Sequence, residues 1–599
     1  MKTIMHFTVT RKELTQTEVK PQVTHVVEDD TLFIDFGKAV YGTLVFTPPR
    51  GAKQVVVHLG EKIDTTGRID RAPGSTIRYL RVEQSVGQGP CRLMIPSDER
   101  NTNLEAGAIL MPDSVGEVFP FRYAEIEDAG ELDPASIKQI FVHYPFDDDA
   151  ASFECSSDVL NQVWALCKHT IKATTFCGVY VDGDRERIPY EGDAYINQLG
   201  HYCMDHEYDF ARYSHELMIQ QPTWCTEWHL HSVMLAWMDV LHSRETTSID
   251  AFYEALKVKP LIDFAREDGL ISVDPELRTP EINARLEPHF ESGLIKRNIK
   301  DVMDWPPGSF TDGGVGERDN HEMRPINTVT NAFHAYTLHL MAKIAGLLGH
   351  EEDANHFAER AALVKARLNA LLFDSERGVY IDGEGSTHAS LHSNMFPLAF
   401  NLVPENRTPT VIEFIKSRGM ACSVYGAQHL LEGLCQNMEG GYALELMTAV
   451  HDRGWWNMIQ AGSTMTLEAW DITYKNNLDW NHAWGAAPAN IVGRYLLGVR
   501  PLEPGFSRTL IEPQLGALEY ARGTVPTPLG PVDIFVRSQP FELTVTIPEG
   551  MSAQLSIPGA SDHVILNGET VTGRQDKGRI RLDGIGSGKH VLRHCSINS

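Results

Sequence analysis

Five carboxylates and two arginines fall within thirteen residues at Val181-Asp182-Gly183-Asp184-Arg185-Glu186-Arg187-Ile188-Pro189-Tyr190-Glu191-Gly192-Asp193. Carboxylates this dense can donate and accept protons, and an arginine fork among them holds oxygen acceptors in place. If the segment begins extended, Asp182, Asp184 and Glu186 point to the same side. Pro189 and Gly192 argue against a continuous helix, so the segment reads as a loop feeding a helix from Asp193 onward, with Asp193 as an N-terminal anion. A solvated acidic turn is the plain alternative. Tyr180, Ile188 and Tyr190, interleaved with the charges, favour a sugar site, where rings cover apolar faces and charged groups hold hydroxyls.

A second constellation runs Gly462-Ser463-Thr464-Met465-Thr466-Leu467-Glu468-Ala469-Trp470-Asp471, followed by Asn481-His482-Ala483-Trp484-Gly485. A single glutamate among small and aromatic residues is less solvated than a surface glutamate, so Glu468 is a base candidate. A helix-terminal glutamate that caps or pairs, and a satisfied core histidine at 482, are the structural alternatives. Trp224-Cys225-Thr226-Glu227-Trp228 and Asp304-Trp305-Pro306-Pro307 set tryptophan beside carboxylate and suit either a sugar site or ordinary packing. His229/His231 and His388/His392 have spacings a metal can use. Without HExxH or a third ligand nearby, they read as packing or substrate contacts, and no metal or cofactor is expected. Dinucleotide-fold glycines, a phosphate-loop lysine and a GxSxG elbow are all lacking.

The elements that must carry these residues change along the chain. Over the first ~145 residues, THVVEDDTLFIDFG, GTLVFTPPRGAKQVVVHLGEKI and FPFRYAEIEDAG alternate apolar and polar positions between breakers, which is β-sandwich patterning. Near Ser156 the period lengthens. Leu160, Val163, Trp164, Leu166 and Cys167 share a helical face, which Ser156 or Ser157 can cap. Between Asn327 and Leu348 a stripe of Phe333, Tyr336, Leu340, Met341, Ile344 and Leu348 ends at Gly349. A second stripe, Phe357, Ala361, Val364 and Leu368, follows from Glu351 to Phe373. So short a link makes an antiparallel helical hairpin. Roughly ten to twelve helical segments lie between 156 and 498, joined by long loops such as 268–325. Six hairpins can close into an (α/α)6 barrel, and the rival solenoid has no sequence repeat behind it. After Pro501 strand alternation returns. The expected chain is multidomain α and β: a β-sandwich over 1–150, a central (α/α)6 barrel over 151–500, and a second β-sandwich over 501–599.

Composition narrows the partners. Of 599 residues, 80 are acidic and 53 basic, a formal charge of -27 that repels nucleic acid and anionic membranes. No run of ~18 apolar residues is present to span a bilayer. The nine cysteines are scattered, without a CxxC pair, as expected of free thiols in a reducing compartment. The first twenty residues lack the apolar core of a signal peptide, so the expectation is a cytoplasmic protein acting on a small carbohydrate.

At the two constellations the chain resembles the α-L-rhamnosidases of glycoside hydrolase family 78. That family's acid-bearing loop reads roughly Asp-Cys-Pro-x-Arg-Glu and then Gly-Trp-x-Gly-Asp; Asp182, Arg185-Glu186, Tyr190 and Gly192-Asp193 stand in the same order. Its second carboxylate sits in a Thr-x-x-Glu-x-Trp setting that Thr464 to Asp471 resembles. Ile34-Asp35-Phe36-Gly37, Phe121 to Glu125, Asn481-His482, Arg494 to Pro501 and Pro504-Gly505-Phe506 extend the likeness over nearly the whole chain. The resemblance implies an inverting hydrolase in which Glu186 protonates the departing oxygen and Glu468 activates water. It implies sugar contacts from Asp182, Arg185 and Asp193, with Tyr190, Trp305 and His482 shaping the subsite. Glu227, Trp228 and Trp470 join them as candidate sugar contacts. Asp182 lies four residues before Glu186 rather than five, Gly183-Asp184 replace Cys-Pro, and Pro189 and Tyr190 replace Gly and Trp. These departures bear on the sugar accepted, not on fold or reaction class. An unsaturated uronyl hydrolase, a phosphorylase on the same barrel, or an inactive sugar-binding protein are the other readings.

Overall fold

The computed structural model describes residues 5–27, 30–130, 132–274, 279–286, 299–310 and 316–595. The N-terminal strands form one antiparallel eight-stranded sheet, ordered Thr15–Val19, Lys138–His143, Thr31–Phe46, Phe119–Ile126, Gln54–Gly60, Tyr79–Ser85, with Val23–Val27 and Cys91–Arg92 also paired to the long strand. Thr31–Phe46 can serve so many neighbours because its register breaks between Asp35 and Val40, which re-aims its second half. The expected alternation buries Leu32, Ile34, Phe36, Leu44 and Phe46 in a core with Val55, Val57, Leu59 and Phe121.

Helices take over at Asp158–Ala173. Ser157 caps that helix by accepting from Leu160 N, and Leu160, Val163, Leu166 and Cys167 are buried. Thr328–Leu348 and Glu351–Leu371 form the expected hairpin; Asn327 caps the first, and Gly349 ends it at φ 80°, where glycine meets no Cβ penalty. The pair is unequal. The first helix buries most of its length, the second only Phe357, Val364 and Leu368, so one lies inside and the other outside. This division recurs. The mostly buried helices Glu191–Met204, Thr226–Ser243, Thr328–Leu348, Leu391–Ala399, Val424–Gln436 and Ala487–Ile491 each pack on the next, and the last packs on the first. The loop expected over 268–325 lies partly outside the described residues; within it the helix Pro280–Leu286 forms.

The C-terminal strands make a seven-stranded and a five-stranded sheet. Leu543 and Val545 from one and Leu555 and Ile557 from the other share a core. The edge strand of the larger sheet is Ser152–Cys155, which pairs with Ala521 to Thr524. Residues just before the first helix are thus built into the C-terminal sheet. Cysteines form no disulfide, and no helix among the described residues is long and apolar enough to cross a membrane.

Candidate active site

The acidic segment folds as a tight loop rather than an extended run. Asp182 N donates to Ile188 O at 3.0 Å and Arg187 N to Gly183 O at 3.2 Å, with Arg187 at φ 54°. The turn overturns the expected common side for the three carboxylates. Asp182 and Glu186 face a cavity, whereas Asp184 is buried behind them between Arg187 at 2.8 Å and Arg78 at 2.7 Å. The following helix begins at Glu191, two residues earlier than expected, with Asp193 in its first turn. Gly192 is required there because the Trp228 indole lies where a Cβ would stand, 2.9 Å away.

The second constellation meets the first through a pairing of distant loops. Glu468 N donates to Asp479 O at 3.2 Å, His482 N to Thr466 O at 3.0 Å, and Thr466 Oγ1 to His482 O at 2.6 Å. Trp484 Nε1 adds a bond to Glu468 O at 2.9 Å. Glu468 and His482 therefore reach one wall although they stand fourteen positions apart in the chain.

Together the loops line an open cavity of about 230 Å³, whose walls are Asp182, Arg185, Glu186, Tyr190, Asp193, Trp224, Cys225, Trp228, Val302, Trp305, Glu468, His482 and Trp484. Nine of the eleven candidate residues are there. Glu227 and Trp470 are not. Glu227 stands behind the wall, accepting from Val302 N at 2.9 Å and Thr330 Oγ1 at 3.0 Å. Trp470 is core: its Nε1 donates to Cys422 O at 2.7 Å and its ring meets Trp455 edge-on at 4.9 Å. Trp305 is fixed by Asp304, which accepts from Trp305 N at 2.8 Å, His392 Nε2 at 2.6 Å and Ser423 N at 3.0 Å. His392 thus serves Asp304, His388 lies 2.6 Å from Asp382, and His231 Nδ1 donates to Glu227 O at 2.6 Å. None of these histidines pairs as the metal spacing allowed.

Charge is distributed unevenly around the cavity. Glu468 is 3% exposed at its side chain, and Glu186 is 39% exposed. Arg185 holds Glu468 with two bonds, Nη1 to Oε2 at 2.8 Å and Nη2 to Oε1 at 3.0 Å, and Lys475 Nζ stands 3.1 Å from Oε2. Asp479 N also points to Oε2 at 3.3 Å, and Oε1, which accepts from Arg185, has lone-pair capacity for a further donor. Burial, aided by the neighbouring Glu186, pushes the Asp182 carboxyl well above the usual range, and its Oδ2 has no hydrogen-bond partner among the described residues. His482 lies 2.8 Å from Asp193 and 3.3 Å from Asp479. Burial opposes its charge, but the two carboxylates outweigh it and hold the imidazole's pKa well above 6.5. Tyr190 OH donates to Glu186 Oε2 at 3.4 Å.

Among the described residues, Glu468, Asp479 and His482 bring ligand atoms within 4.8 Å of one another, near enough to share a metal ion. Arg185 and Lys475 already meet the negative charge there, and a protonated imidazole has no lone pair to give. Sequence reasoning missed Asp479 and Lys475. Asp479-Trp480 repeats the Asp-Trp pairing of 304–305, a usable signal; a lone lysine in a polar loop offers none.

Residues 148–259 and 283–496 match the family described as bacterial alpha-L-rhamnosidase 6 hairpin glycosidase domain, and residues 498–572 match the bacterial alpha-L-rhamnosidase C-terminal domain. An alpha-L-rhamnosidase of Alteromonas sp. (strain LOR) is 26% identical over 295 residues, covering 45% of this chain and 31% of that protein. The structure of the alpha-L-rhamnosidase from Dictyoglumus thermophilum superposes with a TM-score of 0.74 at 18% identity, over 96% of this chain and 63% of that one. That of the Streptomyces avermitilis alpha-L-rhamnosidase complexed with L-rhamnose gives 0.68 at 17% identity, over 97% and 54%. The chain spans less than two thirds of the length of each of these relatives.

Proposed function

This chain belongs to the bacterial α-L-rhamnosidase six-hairpin glycosidase family, and from that premise we propose that it releases a terminal α-L-rhamnosyl unit from an oligosaccharide or glycoside by inverting hydrolysis. The observation that carries this reading is one cavity holding an accessible Glu186 and a buried, ion-paired Glu468, joined through Arg185. In this reading Glu186 gives its proton to the departing glycosidic oxygen as the bond to the anomeric carbon breaks. A water adds to that carbon and yields its proton to Glu468, whose Oε1 has the capacity to accept it. Asp182 and Asp193, with the His482 imidazolium and Arg185, hold hydroxyls; Trp228, Trp305 and Tyr190 cover the apolar face and methyl group of a 6-deoxy sugar.

The closed ring of buried helices supports an (α/α)6 barrel over 151–500, and the eight-stranded N-terminal sheet and the two C-terminal sheets support the β domains on either side of it, read as β-sandwiches over 1–150 and 501–599. The cavity lies below the ~300–1,000 Å³ of drug-sized ligand sites, a size suited to one sugar unit. Release of p-nitrophenol from a panel of p-nitrophenyl glycosides, by wild type, Glu186→Gln and Glu468→Gln, tests the assignment. Release from the α-L-rhamnoside, lost in both variants, is expected. Release from a different sugar overturns the substrate, and unaltered turnover in either variant overturns that residue's role.

A further inference from the structure

The connection between strands Gln54–Gly60 and Tyr79–Ser85 of the N-terminal sheet reaches the helical body beside the cavity. Glu61 and Arg78 sit at the paired ends of Gln54–Gly60 and Tyr79–Ser85, joined by Arg78 N to Glu61 Oε2 at 2.8 Å. Ser75 Oγ donates to Leu478 O at 2.7 Å, Thr76 N to the same oxygen at 3.1 Å, and Arg78 Nε lies 2.7 Å from Asp184 Oδ2. The sheet therefore touches both reactive loops from behind.

Asn481 is where these contacts converge. Its Nδ2 donates to Glu61 Oε1 at 2.9 Å, and its Oδ1 accepts from Asp184 N at 2.9 Å and Tyr41 OH at 2.7 Å. The Tyr41 ring is itself stacked on Phe176 at 3.7 Å. Turned over, the Asn481 amide would set its nitrogen against the Asp184 N–H, donor against donor, so only the observed orientation satisfies that backbone group. All of these atoms are buried, where an unmade bond is costly.

We propose that Glu61 is a positioning residue of the reaction site: by fixing the Asn481 amide from the N-terminal sheet, it locks the loop bearing Asp182, Arg185 and Glu186 to the loop bearing Asp479 and His482. Glu61 touches neither the cavity nor a reacting atom; it acts through Asn481. The helical domain alone is then an incomplete site, because the acceptor that orients Asn481 comes from the N-terminal sheet.

The inference rests on the rhamnosidase reading for its kinetic arm, and hydrogen exchange supplies an arm that does not. In Glu61→Gln the amide nitrogen faces either Asn481 Nδ2 or Arg78 N, donor against donor, so one bond is lost with little change of volume. In the full chain, amides of 182–188 and 479–483 should then exchange about tenfold faster, with those of Phe119–Ile126 and Glu191–Met204 unchanged. Turnover of the aryl rhamnoside should drop by about 10–100-fold while KM stays within about threefold. The pair Glu61→Gln with Asn481→Asp reverses the polarity of the 61–481 bond and keeps every other one, so it should restore both readouts most of the way. Wild-type exchange in Glu61→Gln, or a pair no better than the single change, overturns the proposal. Should Glu61→Gln not fold, Asn481→Ala, which leaves the Glu61–Arg78 bond intact, takes its place with the same two outcomes for the loops. A wild type inactive on every glycoside defeats the proposed function, and the exchange experiment still decides the clamp.

Discussion

Arg185 spans the two candidate reactive carboxylates, gripping Glu468 with bonds of 2.8 and 3.0 Å while its Nε stands 3.5 Å from Glu186. One planar side chain thus sets the direction of the buried carboxylate and lies beside the accessible one. A guanidinium keeps this geometry because its donors are fixed in a fork, which a lysine ammonium is not. Lys475 cannot replace it, since its ammonium is a point charge without a planar fork, 3.1 Å from Oε2 and shared with Asn477 Oδ1 at 2.6 Å.

Arg185→Lys should therefore keep the charge and lose the alignment. Turnover of an aryl rhamnoside is expected to fall about 10²-fold, as for a misplaced catalytic group, with a smaller change in rhamnose affinity. Steady-state kinetics and quenching of the cavity tryptophans measure the two effects separately. Equal turnover in the variant would mean that the fork has no part in aiming Glu468.

Removing the carboxylate makes a different test. Glu468→Ala leaves Arg185 and Lys475 side by side without their anion, in a space the size of the lost group. A small anion such as azide should enter it and attack the anomeric carbon in place of water. The expected result is a glycosyl azide of inverted configuration, identified by NMR, with turnover recovering by about tenfold or more over the unrescued variant. A retained configuration would remove Glu468 from the role of base.

Much of this site was legible in the sequence, for local reasons. The apolar stripe of Phe333, Leu340, Met341 and Ile344 and the glycine at 349 describe a helix and its end with no outside help. Asp182, Arg185, Glu186, Tyr190 and Asp193 are close in sequence and remain close in space. Asp184 misled because two-residue alternation presumes an extended strand, and the turn at Arg187 sends it to Arg78 instead. Glu61 and Asn481 lie 420 residues apart, and Ser152–Cys155 completes a sheet whose other strands lie past residue 519. Partnerships of that range leave no mark on local composition or period.

Trp470 and Trp305 separate a core tryptophan from a cavity tryptophan. Trp470→Phe loses the bond to Cys422 O and part of the contact with Trp455, so it should destabilise by about 1–3 kcal/mol, read as a lower Tm. Its kcat and KM should match wild type at temperatures where the variant is folded. Trp305→Ala should do the reverse, raising KM by about tenfold or more with a smaller change in Tm. A KM effect from Trp470→Phe as large as that from Trp305→Ala would return it to the site.

His482 should make the fold less stable as pH rises. Buried between Asp193 and Asp479, it holds its proton well above the 6.5 of a free imidazole. Above that pH the folded chain binds more protons at this site than the unfolded chain does, so its stabilisation is full below about 6.5 and drains away as pH climbs towards the folded value. Glu61 acts in the same sense over a lower window. Burial raises it from 4.5 to about 8 despite the bonds from Asn481 and Arg78, so the stability linked to its proton is lost between those values. Wild-type Tm should fall steadily from about pH 6 to 9 at constant ionic strength. His482→Asn should melt lower at about pH 6 and show a shallower decline above pH 7, because Asp193 and Asp479 then face each other without the cation at every pH. Glu61→Gln should make the decline shallower between about pH 5 and 8, leaving the His482 part from about pH 6.5 upward. Melting curves for the three proteins in matched buffers decide the matter: a His482→Asn slope equal to that of wild type would show that this imidazole is not the group releasing the proton.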